Sequence, residues 1–190
     1  MAELTVQEKK LLLKLARKVL LKSFDLIDDP GIGYEVKKLS EKRGVFVTLH
    51  KNDNLRGCIG TILPEKELYS AVAENVMNSA FRDPRFSPLS EDELDDLEIE
   101  ISALTVPVEV EYNNSEDLRD KITPFEDGVI LDFGLRQSTF LPQVWEDLPD
   151  FDLFMSQLSM KAGMNPDAWK TANPSVKIYK ADHFKESELL

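Results

Sequence analysis

The chain has 190 residues, of which 42% are hydrophobic and 31% charged, a length and composition typical of one folded globular domain. Its net charge of -12 disfavours nucleic acid and anionic membranes as partners, because like charges repel at long range. No apolar segment is long enough to span a membrane, and the single cysteine, Cys58, excludes an intrachain disulfide. We therefore expect a cytoplasmic protein that binds neither nucleic acid nor membrane.

The first predicted element is an amphipathic helix. Thr5 and Glu8 have the spacing of a capping box, in which each side chain binds a free backbone amide at a helix start. Apolar residues then recur at helical spacing as far as about Lys22, which predicts one buried stripe. The turn-forming sequence at residues 28–31 ends this pattern.

A β-hairpin is predicted next. Residues 45–49 are rich in β-branched side chains, residues 52–54 are polar turn formers, and a second short apolar run spans residues 55–62. This hairpin contains the cysteine, so its register decides which side chains lie beside the thiol.

Two registers of the hairpin are open. A three-residue loop pairs Thr48 with Cys58. It also pairs His50 with Arg56, so that the histidine and the thiol share a face of the sheet. A loop of two or four residues instead brings Val47 opposite Cys58 and turns His50 to the other face.

After the hairpin, helices and strands do not alternate strictly. This order favours an α+β fold, with a mainly antiparallel β-sheet flanked by helices, over a doubly wound parallel sheet. The remaining predicted elements are a helix that starts at Pro64 and ends before Pro84, strands at residues 97–104, 129–133 and 176–179, and a helix at about residues 151–161 that Gly163 stops.

Cys58 is a candidate catalytic nucleophile. Arg56 precedes it by two residues, so that on a strand the guanidinium and the thiol point to the same face and the cation favours the thiolate. Gly57 and Gly60 leave room for a ligand to approach. The alternative is a buried thiol that packs as a small apolar residue, with both glycines serving strand packing.

A cysteine nucleophile needs a base, and the chain has two histidines. His50 lies on the partner strand of the hairpin. His183 lies in a polar segment and is expected to be solvated.

Residues 82–86 form a second candidate group, in which a proline turn closes a helix. Arg82 and Arg85 could bind an anion together with Arg56. Alternatively, Asp83 pairs with Arg85 and the turn is a structural corner.

The sequence contains neither an HExxH nor an EF-hand pattern, and a single cysteine cannot build a cysteine-based zinc site. Glu98 and Glu100 are expected to line a solvated strand face. We therefore expect no tightly bound metal and no cofactor.

Three segments resemble the AMMECR1 domain family, and in particular its short microbial members of the AmmeMemoRadiSam system protein A type. They read LRGCIGT at residues 55–61, DPRF at residues 83–86 and TFLPQV at residues 139–144. The likeness covers nearly the whole chain, which implies a single domain over residues 1–190 with a smaller α/β subdomain around residues 30–65. It also implies Memo-like and radical SAM proteins as partners, because such domains occur beside or fused to them.

The resemblance supplies no reaction, so whether the chain is an enzyme stays open. Our leading hypothesis is a component of a small-molecule or protein-modification pathway, with a conformationally restricted Arg-Gly-Cys site that receives a small molecule or protein substrate. The alternative is a non-catalytic binding or scaffold module that docks a Memo-like or radical SAM partner. The candidate binding residues are Arg56, Gly57, Gly60, His50, Arg82, Asp83 and Arg85.

Overall fold

The computed structural model describes residues 3–28 and 37–190, and it shows an α+β fold. The chain forms two compact units, one made of Met1–Val106 with Asp182–Leu190 and the other of Pro107–Ala181. Each unit contains a four-stranded sheet, and the strand pairings within both sheets are antiparallel where their registers are defined. The predicted fold class is therefore confirmed.

The predicted smaller subdomain around residues 30–65 begins in a segment that lies outside the described residues, as does most of the predicted break at residues 28–31. Both stay predictions. The hairpin at the other end of that range belongs to the first unit.

The helices and strands predicted from the sequence are present with small shifts of their ends. In chain order, the elements are α1 (Val6–Ser23), β1 (Val45–Lys51), β2 (Asn54–Thr61), α2 (Leu68–Phe81), β3 (Leu97–Leu104), β4 (Val108–Glu109), α3 (Ser115–Lys121), β5 (Gly128–Asp132), β6 (Gln137–Phe140), α4 (Val144–Asp147), α5 (Phe151–Lys161), α6 (Ala168–Thr171), β7 (Ser175–Tyr179), β8 (Ala181–Lys185) and α7 (Glu186–Leu189), with 3-10 turns at Lys37–Ser40 and Glu91–Asp96.

In the first unit, the sheet has the strand order β2-β1-β3-β8, so β2 is an edge strand. Helix α1 starts with the predicted capping box, in which Thr5 Oγ1 accepts from the backbone of Glu8 and the Glu8 carboxylate accepts from the backbone of Thr5. Its apolar stripe packs with α2 against one face of the sheet, where alternate residues of β1 and β3 are buried: Val45, Val47, Leu49, Leu97, Ile99, Ile101 and Ala103.

The second unit has its own core beneath a sheet of order β4-β7-β5-β6. The rings of Trp145 and Phe154 stack with their centroids 3.5 Å apart. Trp145 Nε1 also donates to the backbone oxygen of Asp127 at 2.8 Å, which leaves the buried indole satisfied. Gly163 follows α5 with a φ of 71°, the left-handed conformation that commonly ends a helix.

The hairpin of the first unit combines parts of both predicted registers. Its loop has two residues, Asn52 and Asp53, whose φ angles of 51° and 61° are those of a tight hairpin turn. A bulge then places Arg56 as an extra residue on β2, so His50 pairs with Leu55 rather than with Arg56. The bulge restores the pairing of Thr48 with Cys58, although the two-residue loop alone predicts Val47 opposite the cysteine.

Helix α2 approaches the hairpin so closely that one of its side chains enters the strand ladder. Ser79 Oγ accepts from Ile59 N at 2.8 Å and donates to Val47 O at 2.7 Å, which joins β2 to β1 through the helix. A Cβ atom on Gly57 would lie 2.2 Å from Ser79 O, so only glycine fits at this contact.

We expect Gly57→Ala to lower the free energy of unfolding by about 1–3 kcal/mol, because the added methyl group has to displace the backbone of α2. Urea denaturation followed by circular dichroism measures this change. Thr61→Ala, at an exposed position of the same strand, is the matched control and should shift stability by less than about 0.5 kcal/mol. A Gly57→Ala protein as stable as the parent would contradict the packing argument.

Candidate functional site

The side of the first sheet opposite α1 and α2 carries polar residues at the positions that alternate with the buried ones. We call it the open face, and we define it by Thr48, His50, Cys58, Glu100 and His183. Because Thr48 pairs with both Cys58 and Glu100, these three residues form one row across β2, β1 and β3.

Cys58 lies on the open face and is partly exposed. Thr48 Oγ1 donates to its sulfur at 3.3 Å, so the hydroxyl fixes the thiol from the neighbouring strand. Gly60 lies on the same face, and a Cβ there would come within 2.4 Å of the Phe46 ring. The aromatic ring therefore fills the space above Gly60, as α2 fills the space at Gly57.

The backbone of Cys58 is held from the other side by the turn that follows α2. Cys58 N donates to Asp83 Oδ2 at 2.9 Å, and the guanidinium of Arg85 donates to Cys58 O at 3.3 Å. Asp83 is only 4% exposed, and its carboxylate also accepts from Arg85 at 2.6 and 2.9 Å. The Arg85 guanidinium holds the pKa of the Asp83 carboxyl well below its usual range, so this carboxylate stays charged.

Arg85 is the arginine that lies beside the thiol. About half of its side chain is exposed, and its hydrogen bond with Asp83 is the main cause of the raised pKa of its guanidinium. The charge of a Cys58 thiolate adds a smaller contribution in the same direction, which places the two groups within electrostatic reach. The predicted pairing of Asp83 with Arg85 is therefore present, and both residues also contact the backbone of Cys58.

The other two candidate arginines make different contacts. Arg56 forms a two-bond ion pair with Glu93, at 3.0 and 2.9 Å, and donates to Ser87 O at 3.0 Å. This ion pair holds the pKa of Glu93 well below its usual range. Arg82 reaches the side chain of Asn78 at 3.4 Å. The three arginines therefore have different protein partners, and the joint binding of an anion by Arg56, Arg82 and Arg85 stays a prediction.

Both histidines contact one carboxylate of the open face. His50 Nε2 lies 3.1 Å from Glu100 Oε2, and His183 Nε2 lies 2.9 Å from Glu100 Oε1. The predicted exposure of His183 is confirmed, although its ring is also paired. The prediction of a solvated Glu100 is wrong, because its side chain is only 18% exposed and contacts both rings. Period-2 alternation in β3 indicates the face of Glu100, whereas the placement of β8 beside β3 has no local sequence signal.

Within the described ranges, no group of three or more histidine, cysteine, aspartate or glutamate side chains is arranged to hold a metal ion. Among the helices of the same ranges, none combines the length and apolarity needed to cross a bilayer.

The pairing with Glu100 predicts the titration of His183. The bond to Glu100 raises the pKa of His183 above 6.5 despite partial burial, with Glu188 acting in the same direction and Lys185 against it. For Glu100, burial raises the pKa, but the bonds with His183 and His50 outweigh it and lower the pKa. The stabilisation from His183 is therefore complete below about pH 6.5 and is lost as pH rises through its native pKa.

We expect the NMR titration midpoint of the His183 ring to lie above about 6.5 and to fall in Glu100→Gln, because the amide cannot stabilise the imidazolium ion. Glu98→Gln is the matched control, since Glu98 lies on the same strand but binds the backbone of Ser187. An unchanged midpoint in Glu100→Gln would exclude the ion pair in solution.

A protein-family model, two related proteins and one solved structure are similar to this chain. A family model described as AMMECR1 matches residues 13–184. Protein MK0488 of Methanopyrus kandleri is 36% identical over 98% of this chain and 92% of its own length, and Protein Mbar_A1807 of Methanosarcina barkeri is 36% identical over 97% and 93%. The crystal structure of the uncharacterized protein PH0010 from Pyrococcus horikoshii aligns with a TM-score of 0.82 at 34% identity and covers 92% of this chain and 89% of that one.

Proposed function

This chain belongs to the AMMECR1 family, and because none of the relatives above is named for a reaction, we propose a function from the site itself. The protein is a cytoplasmic component of a small-molecule or protein-modification pathway, and Cys58 is the residue that attacks or holds the substrate. One observation carries this proposal: the only cysteine of the chain is held on three sides, at N, O and Sγ, while the residue stays partly exposed.

Such a fixed thiol suits a substrate-binding or covalent role. A buried apolar cysteine needs packing alone, whereas Cys58 is oriented by hydrogen bonds to Thr48, Asp83 and Arg85. Fixing a nucleophile before the substrate arrives lowers the entropy lost on reaching the reactive geometry. The restricted Arg-Gly-Cys segment therefore supports a substrate with an electrophilic centre that the sulfur can reach on the open face.

Two groups near Cys58 can stabilise negative charge that develops during a reaction at its sulfur. Arg85 contributes a half-exposed positive charge, and Thr48 contributes a hydroxyl donor directed at the sulfur. In this proposal Arg85, rather than Arg56, stabilises negative charge at the site, because Glu93 already binds the guanidinium of Arg56. His50 and Glu100 lie on the same face and provide a proton acceptor there.

The test is the rate at which iodoacetamide alkylates Cys58 across a pH series, in the native protein and in the same protein denatured. We expect the native thiol to react faster than the denatured one near neutral pH. Arg85→Gln should lower the native rate about threefold to tenfold, because the thiolate loses a nearby cation.

Arg82→Gln is the matched control for this experiment, since it removes the same charge from the same turn at a residue that contacts Asn78. Its alkylation rate should equal that of the parent. Protection of Cys58 in the native state until the protein unfolds would make the thiol structural and would reject the proposed function.

A second candidate function is a binding or scaffold module for a Memo-like or radical SAM partner. The specific observation that favours it is the exposed turn after α2, in which the Phe86 ring lies between the guanidinium of Arg56 at 5.9 Å and that of Arg85 at 5.5 Å. Arginine and aromatic residues held rigidly at a surface are typical of the energetic centre of protein interfaces.

The two candidates are separated by the variants Cys58→Ser and Ser87→Trp. Ser87 is exposed within the turn, so a tryptophan there blocks a docking partner without replacing a core residue. If the turn is the docking surface, Ser87→Trp abolishes co-purification with the Memo-like and radical SAM proteins of the same genome, whereas Cys58→Ser retains it. Co-purification that survives Ser87→Trp would reject docking at this turn.

A further inference from the structure

A groove runs along the free edge of β2, on the side of the strand where α2 packs. It encloses about 220 Å³ and is lined by Ile59, Gly60 and Thr61 of β2 and by Ala71, Glu74, Asn75 and Asn78 of α2, with Glu65 and Lys66 at one end. The α2 residues have the spacing of one helical stripe, so helix and strand form the two walls of the groove. The Cys58 side chain is not part of its lining.

The strand wall offers backbone hydrogen bonds. In an antiparallel strand, alternate residues direct N–H and C=O away from the paired neighbour, and on β2 these are Cys58 and Gly60. Asp83 and Arg85 bind both groups of Cys58 and so close the edge there. At Gly60, the described part of the chain provides no partner for either group, which leaves the edge open above the groove.

The helix wall offers side-chain amides. Asn75 is only 4% exposed, and its Nδ2 donates to Val45 O at 3.3 Å, while its Oδ1 accepts from no described residue. Because Asn75 lines the groove, this oxygen is an acceptor that a donor bound there can reach. Asn78 lies about one turn further along the helix. Its Oδ1 contacts Arg82, and its Nδ2 is available to donate to a ligand.

The charged residues at one end of the groove determine which charge a bound ligand should carry. Lys66 Nζ forms an ion pair with Glu74, so these two charges offset each other. Glu65 has no ion-pair partner among the residues that the structure describes. The lining therefore has a net negative charge, which favours a cationic group at this end.

From these features we propose that the groove binds an extended peptide segment of a partner protein, which adds as a short strand to the edge of β2 and places a lysine or arginine against Glu65. The distance from Ala71 to Asn78 along α2 is about 10 Å, because a helix rises about 1.5 Å per residue. At about 3.3 Å per residue, that length holds about three residues of an extended chain. Docking between an edge strand and a helix combines backbone pairing with side-chain selection.

The probe is a phage-displayed library of random heptapeptides, selected on the full chain. We expect enriched peptides to contain a basic residue, and the synthetic form of one such peptide to shift the Gly60 amide signal in ¹⁵N NMR spectra. Glu65→Lys should weaken its binding about fivefold or more, because the charge that attracts the basic residue is reversed. Methylation of the peptide backbone nitrogens should abolish binding, since it removes the donors that pair with β2.

Glu146→Lys is the matched control, because it makes the same charge change at an exposed glutamate that does not line the groove. It should bind the peptide as the parent does. Four outcomes would overturn the proposal: a library without enrichment, a peptide that binds Glu65→Lys as tightly as the parent, a peptide that tolerates backbone methylation, and full competition by lysine amide, which would indicate a small-amine site. Cys58→Ser should leave peptide binding intact. The experiment can therefore reject the peptide groove without rejecting the proposed role of Cys58, and the alkylation test can do the reverse.

Discussion

The buried carboxylate of Asp83 is the constraint on which the candidate site depends. It accepts from the backbone of Cys58 on the edge strand and from the side chain of Arg85 in its own turn, so it joins the end of α2 to β2. A buried charge is tolerated only when it is paired and hydrogen-bonded, and this carboxylate meets both conditions. Its loss would release the thiol's backbone and leave Arg85 without its partner.

The residues around Cys58 in the Arg-Gly-Cys segment serve mainly to hold one thiol in place. Gly57 admits α2, Gly60 lies beneath Phe46, and Arg56 anchors the bulge to Glu93, so each neighbour of Cys58 has a structural task. The cysteine itself differs, because its sulfur is oriented by a hydrogen bond while the residue is partly exposed. This division of roles explains how one motif can be structurally demanding and still leave a single reactive group partly exposed.

The sequence predicted the elements of the fold better than the partners of its side chains. Capping by Thr5 and Glu8 and the alternation in β3 are local signals, and both were confirmed. The hairpin register was not decidable, because a bulge at Arg56 compensates for the two-residue loop and neither feature alone gives the observed pairing. The ion pair between His183 and Glu100 depends on a contact between residues 83 positions apart, which no local pattern encodes.

The first unit is discontinuous, and this affects the order in which it can fold. Strand β3 ends at Leu104, whereas its sheet neighbour β8 begins only at Ala181, the last residue of the second unit. During synthesis, the ribosome therefore completes the second unit before it releases the strand that finishes the first sheet. Until that strand arrives, β3 is an unprotected edge, so the nascent chain carries a temporary site for mispairing that the finished molecule has removed.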